Sequence, residues 1–457
     1  MNLAEFKRSI NRGMGSAILE LMKNQGSNEK YREAVLYACL NNTCYDAQSE
    51  TKRTSYLFEA MNLVGDLTYF EDKIVERLNK TNDFYLSNQL RDLVFVFWKN
   101  GSSSAADVLQ NRFDVLIRKL AYSGNVRVGN PFRENVENSA ILLMEVYGIQ
   151  SFFESAKKFG SILMRCKREN VIHFDWFLLE AERKFGKKRI RKWLEKESLK
   201  SKEVRRFLDE IDADINMQKE YWENYKEETV SAQNLFWAAE NIQTISFYGY
   251  SWNASKKLSK EELVVIADRI DVTTDEKFKK LLFSVFRTVD YPYSVEKLLD
   301  EYNKGGEELK DMLLIVLARF KDKRINELAV HNLENGIHLA ESLDLLEKNF
   351  IDEYELIRKA QRAHRDKEGY DYHWIASSIR KIFETRRNPK AKQILLFDYY
   401  RNRCSYCRSK VVATMCKSKC IPDYLLDECL YDCCDETRRI VGKYRFKKAK
   451  QGGIQTV

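Results

Sequence analysis

The sequence predicts an all-α protein built as an α-solenoid, in which short antiparallel helical hairpins stack on one another. The 457 residues include only 4 prolines and 18 glycines, too few for the turns of an all-β or alternating β/α chain. Apolar residues recur at helical spacing, and alternating strand patterns are absent. The length exceeds the roughly 250–300 residues at which one hydrophobic core stops growing. A succession of domains or a repeat array is therefore expected.

The clearest helical signals lie between residues 259 and 320. Capping boxes at Ser259–Glu262 and Thr273–Glu276 predict two helix starts, and Ser294 predicts a third. Gly305-Gly306 separates that third helix from the next. One apolar face follows the i, i+3, i+4, i+7 rule at Leu263, Ile266, Ala267 and Ile270. No crisp repeat period is visible, so the repeats are predicted to be degenerate.

Charge and composition predict four segments. Helical repeats are expected over residues 1–165 and again over 231–441, the latter ending in a Cys-rich hairpin. Residues 166–230 form a charge-segregated helical region, and 442–457 a basic tail. From Arg183 to Arg206 there are twelve lysines and arginines against three glutamates, and the next 22 residues hold eight acidic residues against two lysines. The loop 123–131 is a further candidate interruption.

Short segments near both ends of the chain resemble bacterial HEAT-repeat domain proteins of uncharacterised function. The segments are residues 31–48 (YREAVLYACLNNTCYDAQ), 54–61 (TSYLFEAM), 404–408 (CSYCR) and 422–432 (PDYLLDECLYD). The resemblance covers roughly the first 120 and the last 60 residues. It implies an α-solenoid of HEAT-like hairpins with a scaffold or partner-binding role, and it supplies no reaction or ligand.

Seven of the ten cysteines fall between Cys404 and Cys434, on two predicted helices, 395–418 and 422–440. If these helices form a hairpin turning near 419–421, three or four thiols converge, and four thiolates are a ligand set for structural zinc. The alternatives are a packed seam, since free cysteine is a good small core residue, and redox sensing. The candidate metal ligands are Cys404, Cys407, Cys429 and Cys433. Three further cysteines lie off the apolar stripes of these two helices and are the predicted exposed thiols: Cys416, Cys420 and Cys434.

A basic run with aromatic residues is the second candidate site. Lysine and arginine neutralise phosphates, and aromatic rings stack on bases. A solvated helix face, paired with the acidic stretch that follows, is the competing interpretation. The candidate nucleic-acid-binding residues are Lys184, Lys187, Lys188, Arg189, Arg191, Lys192 and Trp193.

Catalytic motifs are absent from the sequence, which predicts a protein without enzymatic activity. The tripeptide His364-Arg365-Asp366 looks like a kinase catalytic loop, but no glycine-rich loop accompanies it, and a polar turn is the expected structure. One enzymatic alternative stays open, because alkylpurine DNA glycosylases are built on HEAT-like helices with an aromatic, acidic and basic cleft. The aromatic and acidic residues considered for it are Trp222, Trp237, Trp252, Glu223 and Glu240.

The sequence therefore predicts a non-enzymatic helical-repeat scaffold that mediates protein–protein interaction through an extended surface. The partner is expected to be a protein, with nucleic acid bound through residues 183–206 as the alternative. No cofactor is predicted beyond structural zinc at the cysteines. The N-terminus lacks a signal peptide and no apolar run reaches the roughly 20 residues of a membrane span, so a cytoplasmic location without membrane contact is expected. The oligomeric state is not predicted.

Overall fold

The prediction of an all-α protein is confirmed. The computed structural model describes residues 1–47, 49–123, 131–165, 174–227, 230–241, 243–363 and 370–452. Within those ranges every regular element is a helix. Twenty-six are α-helices and four are short 3-10 helices, at Glu29–Tyr31, Ser255–Lys257, Ser284–Arg287 and Pro389–Ala391.

The chain divides into two compact units near residue 227. The first comprises 1–227 and 428–435, and the second comprises 228–427 and 436–457. The helices of the first unit are α1 Leu3–Arg12, α2 Gly15–Lys23, α3 Arg32–Leu40, α4 Thr54–Val64, α5 Leu67–Lys80, α6 Phe84–Lys99, α7 Ser104–Ser123, α8 Pro131–Tyr147, α9 Ile149–Arg165, α10 Asp175–Phe185, α11 Lys187–Ser198 and α12 Lys202–Glu227.

The second unit contains the remaining helices. They are α13 Ala232–Asn241, α14 Thr244–Ala254, α15 Lys260–Val272, α16 Glu276–Phe283, α17 Val295–Lys304, α18 Glu307–Leu317, α19 Lys323–Asn335, α20 Leu339–Asn349, α21 Tyr354–Ala363, α22 Tyr370–Arg386, α23 Lys392–Arg401, α24 Ser405–Lys417, α25 Asp423–Cys429 and α26 Asp435–Gly452. The end of α25 and the start of α26 belong to the segment 428–435 and hence to the first unit.

Alternate helices of the first unit contact one another. The even-numbered helices α2, α4, α6, α8 and α10 touch in succession, and α1, α3 and α5 do the same. Each helix buries an apolar stripe between its neighbours. An aromatic cluster fills the space between α9, α10 and α12, where Phe159 stacks on Phe174 at 4.1 Å and Phe152 stacks on Phe177 at 5.1 Å. Stacked rings of this kind stabilise a core beyond their buried area.

The second unit repeats the same connectivity. The helices α16, α18, α20, α22 and α24 touch in succession, and so do α19, α21 and α23. Helices α17 and α18, α19 and α20, and α23 and α24 pair as sequence neighbours. In both units, therefore, helices contact the helix two positions further along the chain.

The helix boundaries agree in part with the sequence signals. Ser259 caps α15 by accepting a hydrogen bond from the Glu262 backbone N–H, and Gly305-Gly306 separates α17 from α18. The predicted cap at Thr273 is wrong: Asp275 caps α16, because its carboxylate accepts from the backbone N–H groups at the helix start. Ser294 precedes α17 without a side-chain cap bond.

The C-terminal region differs from the two helices expected there. Both predicted helices are broken. The predicted helix 395–418 is divided between α23, which ends at Arg401, and α24, which starts at Ser405. The predicted helix 422–440 is divided between α25, which ends at Cys429, and α26, which starts at Asp435. Residues 430–434 instead form a turn in which the Cys433 N–H donates to the Gly13 carbonyl oxygen at 2.9 Å. Residues of the predicted basic tail continue α26 as far as Gly452. The segment 166–230, predicted as a region of its own, falls within the first unit as far as Glu227.

Among the described residues, no helix is long and apolar enough to cross a bilayer. Most of the loop 123–131 and the tripeptide His364–Asp366 lie outside the described residues.

Candidate binding sites

A polar pocket of about 480 Å³ lies in the first unit, on helices α6, α8 and α10 and on the loop that precedes α4. We call it the amide pocket, because four side-chain amides line it. Its volume falls in the range of small-ligand and peptide sites, roughly 300–1,000 Å³. The lining includes the amides Asn42, Asn88, Gln89 and Asn138, the aromatic residues Phe84, Tyr85 and Trp176, and the charged residues Glu50, Lys52, Arg53, Arg91, Asp92 and Glu134.

A buried ion pair shapes the loop wall of the amide pocket. Arg53 and Glu50 bond at 2.8 Å with their side chains almost fully buried. Glu50 also accepts from the backbone N–H groups of Tyr45 and Asp46, and Arg53 donates to the Asn11 and Thr43 carbonyl oxygens. Buried charges satisfied in this way hold their surroundings in one arrangement. The loop wall is therefore pre-formed.

Helix α6 supplies the floor of the amide pocket with fixed polar groups. Arg91 donates to the Asn88 side-chain oxygen at 2.6 Å and to Asn135 on α8. Burial lowers the pKa of Arg91, although a guanidinium stays protonated in proteins. Gln89 donates its amide N–H groups to three carbonyl oxygens at the end of α3. These hydrogen bonds leave the N–H groups of Asn88 and the side-chain oxygen of Gln89 available to a ligand.

Asp92 gives the amide pocket a buried acceptor. Its residue is 7% exposed, one carboxylate oxygen bonds Lys52 at 2.7 Å, and the other oxygen, Oδ1, is buried without a hydrogen-bond partner among the described residues. The Arg91 guanidinium lies 3.9 Å from Oδ1, an ion pair without a hydrogen bond. A ligand N–H or O–H that reached Oδ1 would supply the missing hydrogen bond.

The predicted basic run occupies the start of α11, and the structure separates its charges from its aromatic ring. Lys187, Lys188, Arg189 and Lys192 are exposed and form no ion pair with a described residue. We call these four residues the α11 face. Trp193 is half-buried and stacks on Phe153 at 4.0 Å, so its ring packs in the core instead of being available to a base.

The other two basic residues of the run are neutralised. Lys184 pairs with Glu145 at 2.6 Å, and Arg191 pairs with Glu182 at 2.8 Å and Asp212 at 3.0 Å. Among the described side chains, Arg191 is thus the one predicted binding residue that pairs with the acidic stretch following the run.

A second group of cations, not predicted as a site, surrounds a cavity of about 560 Å³ between α24 and α26. We call it the cationic cavity. Two of its six basic residues form ion pairs, Arg439 with Glu436 and Lys448 with Asp423. The other four are Lys417, Lys419, Lys443 and Lys447. The sequence signal was the basic tail, but its approach to Lys417 and Lys419 depends on how α26 folds back.

The predicted cysteine ligands fall into two places. Cys404 and Cys407 lie together in the second unit, with His373 of α22 beside them. Cys429 and Cys433 belong to the first unit, where Cys433 packs against Gly13. The prediction that Cys416, Cys420 and Cys434 are exposed is wrong, since all three are buried. Burial raises the pKa of Cys416 to about 12, which keeps this thiol protonated.

Residues considered for a glycosylase cleft are also separated. Trp237 and Glu240 line an open depression with Phe236, Asp268 and Arg269. Trp252 lies instead against Lys256 and Arg287. The side chains of Trp222 and Glu223 lie outside the described residues.

No protein-family model, no curated protein and no solved structure matches this chain.

Proposed function

We propose that this protein is a non-enzymatic scaffold, an α-solenoid of HEAT-like hairpins that binds a protein partner, and that a peptide segment of the partner enters the amide pocket. The observation that carries the proposal is the position of that pocket. It is lined by α6, α8 and α10, which touch in succession. Solenoids present extended binding surfaces on such successive helices.

The solenoid part of the proposal is supported by four hydrogen bonds of the second unit that join residues about 30 positions apart. Ser251 bonds Ser284 and Ser255 bonds Thr288, both 33 residues apart. Asn332 donates to Tyr302, 30 residues away, and Asn349 donates to the Phe320 carbonyl, 29 residues away. Equivalent positions of stacked repeats would meet at one repeat length, and separations of this size are compatible with that spacing.

The chemistry of the amide pocket favours a peptide. A side-chain amide has one donor end and one acceptor end, and so does a peptide bond. Asn88 has its oxygen engaged, which leaves its N–H groups to donate, and Gln89 has its nitrogen engaged, which leaves its oxygen to accept. Asp92 adds a buried acceptor for a peptide N–H. Trp176, 51% exposed, offers a face for an apolar or cationic side chain.

The proposal is tested by panning a displayed library of random peptides on the full chain. Peptides enriched on the wild-type protein should lose at least about tenfold in affinity with Trp176→Ala, because truncating an interface aromatic costs about 2 kcal/mol or more. Asn138→Ala should weaken binding as well. Fluorescence polarisation of labelled peptides measures both effects.

Trp237→Ala is the matched control, since Trp237 is 62% exposed and lies in the second unit. Peptide affinity should not change in that variant. Failure to enrich any peptide, or equal affinity for wild type and Trp176→Ala, would refute the assignment of the amide pocket.

A second candidate function, nucleic-acid binding, is favoured by the four cations of the α11 face and by the four of the cationic cavity. Neither set is neutralised by an ion pair with a described residue. The absence of a free ring on the α11 face favours contact with phosphates over stacking on bases.

Two quadruple alanine variants, each removing four positive charges, serve as controls for each other. If the α11 face binds nucleic acid, alanine at its four positions weakens DNA or RNA binding in gel shifts. The slope of log affinity against log salt then becomes shallower by about 0.9 for each phosphate that the variant no longer neutralises. The variant of Lys417, Lys419, Lys443 and Lys447 keeps the wild-type slope in that case. The reverse result places the site in the cationic cavity, and no binding at low salt excludes this function.

A further inference from the structure

The thiols of Cys404 and Cys407 and the imidazole of His373 form a compact group of soft ligand atoms in the second unit. One ligand atom from each residue lies within 4.8 Å of the other two. The Cys407 sulfur is 3.7 Å from Nε2 and 3.9 Å from Nδ1 of His373. In tetrahedral zinc sites, bond lengths of about 2.3 Å to sulfur and 2.0 Å to nitrogen place the ligand atoms about 3.5–3.8 Å apart. The distance between Cys407 and His373 is close to that spacing.

Local structure brings the two cysteines together. Cys404 is the N-cap of α24, and its sulfur accepts a hydrogen bond from the Cys407 backbone N–H at 3.5 Å. The Asn402 side-chain oxygen accepts from the Cys404 N–H at 3.1 Å and fixes the turn before the helix. The thiolate is the form of cysteine that binds a metal.

The third ligand comes from a neighbouring helix. His373 lies on α22, which packs against α24, and is 34 residues before Cys407. Cys404 is buried, whereas Cys407 and His373 are partly exposed. The group is therefore open on one side. Three protein ligands leave the fourth tetrahedral position of a zinc ion open, unlike the four protein ligands of a closed structural site.

We propose that His373, Cys404 and Cys407 bind one zinc ion, whose fourth position is left to water or to a group of a ligand. Two thiolates and an imidazole select zinc over the hard cations magnesium and calcium. The two thiols lose their protons as the ion binds, so affinity rises with pH. This assignment replaces Cys429 and Cys433 of the predicted set with a histidine, and it does not depend on the proposed scaffold function.

The test is zinc content and affinity of the reduced full-length chain, measured by elemental mass spectrometry and by competition with a chelator. The wild type should hold one zinc per chain. His373→Ala and Cys407→Ser should weaken affinity by more than the roughly 10–100-fold that changes around a ligand cause. Cys429→Ser is the matched control, as a buried cysteine outside the group, and should retain zinc. Far-UV circular dichroism checks that each variant is folded.

Substitution of cobalt for zinc in the wild-type chain gives a readout that needs no variant. The intensity of the thiolate-to-cobalt absorption should correspond to two sulfur ligands. Intensity corresponding to four sulfurs, or zinc lost in Cys429→Ser but kept in His373→Ala, would overturn the proposal in favour of the four-cysteine set. A reduced chain that binds no zinc would overturn it entirely.

Discussion

At the scale of single residues, Asp398 carries a buried carboxyl group whose pKa is strongly raised. Asp398 on α23 is fully buried. Its Oδ1 accepts from the Tyr372 hydroxyl at 2.7 Å and from the Gln361 amide at 2.8 Å, and its Oδ2 has no hydrogen-bond partner among the described residues. Burial raises the pKa of Asp398 to about 7, while the bonds from Tyr372 and Gln361 act in the opposite direction. A protonated Oδ2 fits this apolar environment.

This acidity predicts a pH-dependent stability. Between about pH 4, where the unfolded carboxyl titrates, and pH 7, the folded state binds more protons than the unfolded state. The free energy of unfolding therefore falls as pH rises through that window. Asp398→Asn cannot ionise, so its stability relative to wild type should improve by about 1–3 kcal/mol between pH 5 and pH 8. Urea unfolding of the full chain at the two pH values measures the change.

Tyr372→Phe provides an opposite perturbation at the same site. Removing a hydrogen bond that favours the carboxylate raises the pKa of Asp398 further, so the loss of stability should extend to higher pH. Equal pH dependence in wild type and Asp398→Asn would contradict this account of the buried carboxyl.

At the scale of elements, a very close approach between two helices is set by a glycine. Gly160 lies on α9, and a Cβ at this position would be 1.8 Å from the Glu203 backbone oxygen at the start of α12. Backbone cannot move aside as a side chain can. The packing of α9 on α12 therefore requires the absence of a side chain at position 160.

Gly160→Ala should lower the free energy of unfolding by about 1–3 kcal/mol, since the new methyl forces the two helices apart. Gly249→Ala is the matched control, because Gly249 is helical and a Cβ there meets no atom within 4 Å. Alanine should stabilise that helix by up to about 1 kcal/mol. Thermal unfolding of both variants decides the point, and a loss of stability in Gly249→Ala as large as that in Gly160→Ala would contradict it.

At the scale of the whole molecule, the chain does not run through the two units once each. It enters the second unit near residue 228 and returns to the first for residues 428–435. The return is tightly packed, since a Cβ on Gly13 would lie 2.2 Å from the Cys433 sulfur. Gly13 also has φ +68, a backbone conformation that glycine adopts without strain. Cys433 is therefore part of the hydrophobic core of the first unit.

This connectivity explains why the cysteine prediction succeeded only in part. The sequence predicted that Cys404 and Cys407 lie together, because residues three apart share one side of a helix. It paired them with Cys429 and Cys433 by assuming one continuous helix after Pro422. The turn at 430–434 interrupts that helix and places Cys429 and Cys433 elsewhere. His373 lies beside Cys404 and Cys407 instead, and no sequence pattern had indicated it as a metal ligand.

The sequence by itself determined the helical class, the buried stripes and several helix ends, because these depend on interactions among residues a few positions apart. Few prolines and glycines, apolar spacing and the cap at Ser259 suffice for them. The tertiary structure decided which distant residues meet: the amides of the amide pocket, the lysines of the cationic cavity, and the imidazole beside two thiols. Such contacts depend on how whole helices pack, and a helix can bury the same apolar stripe against many different neighbours.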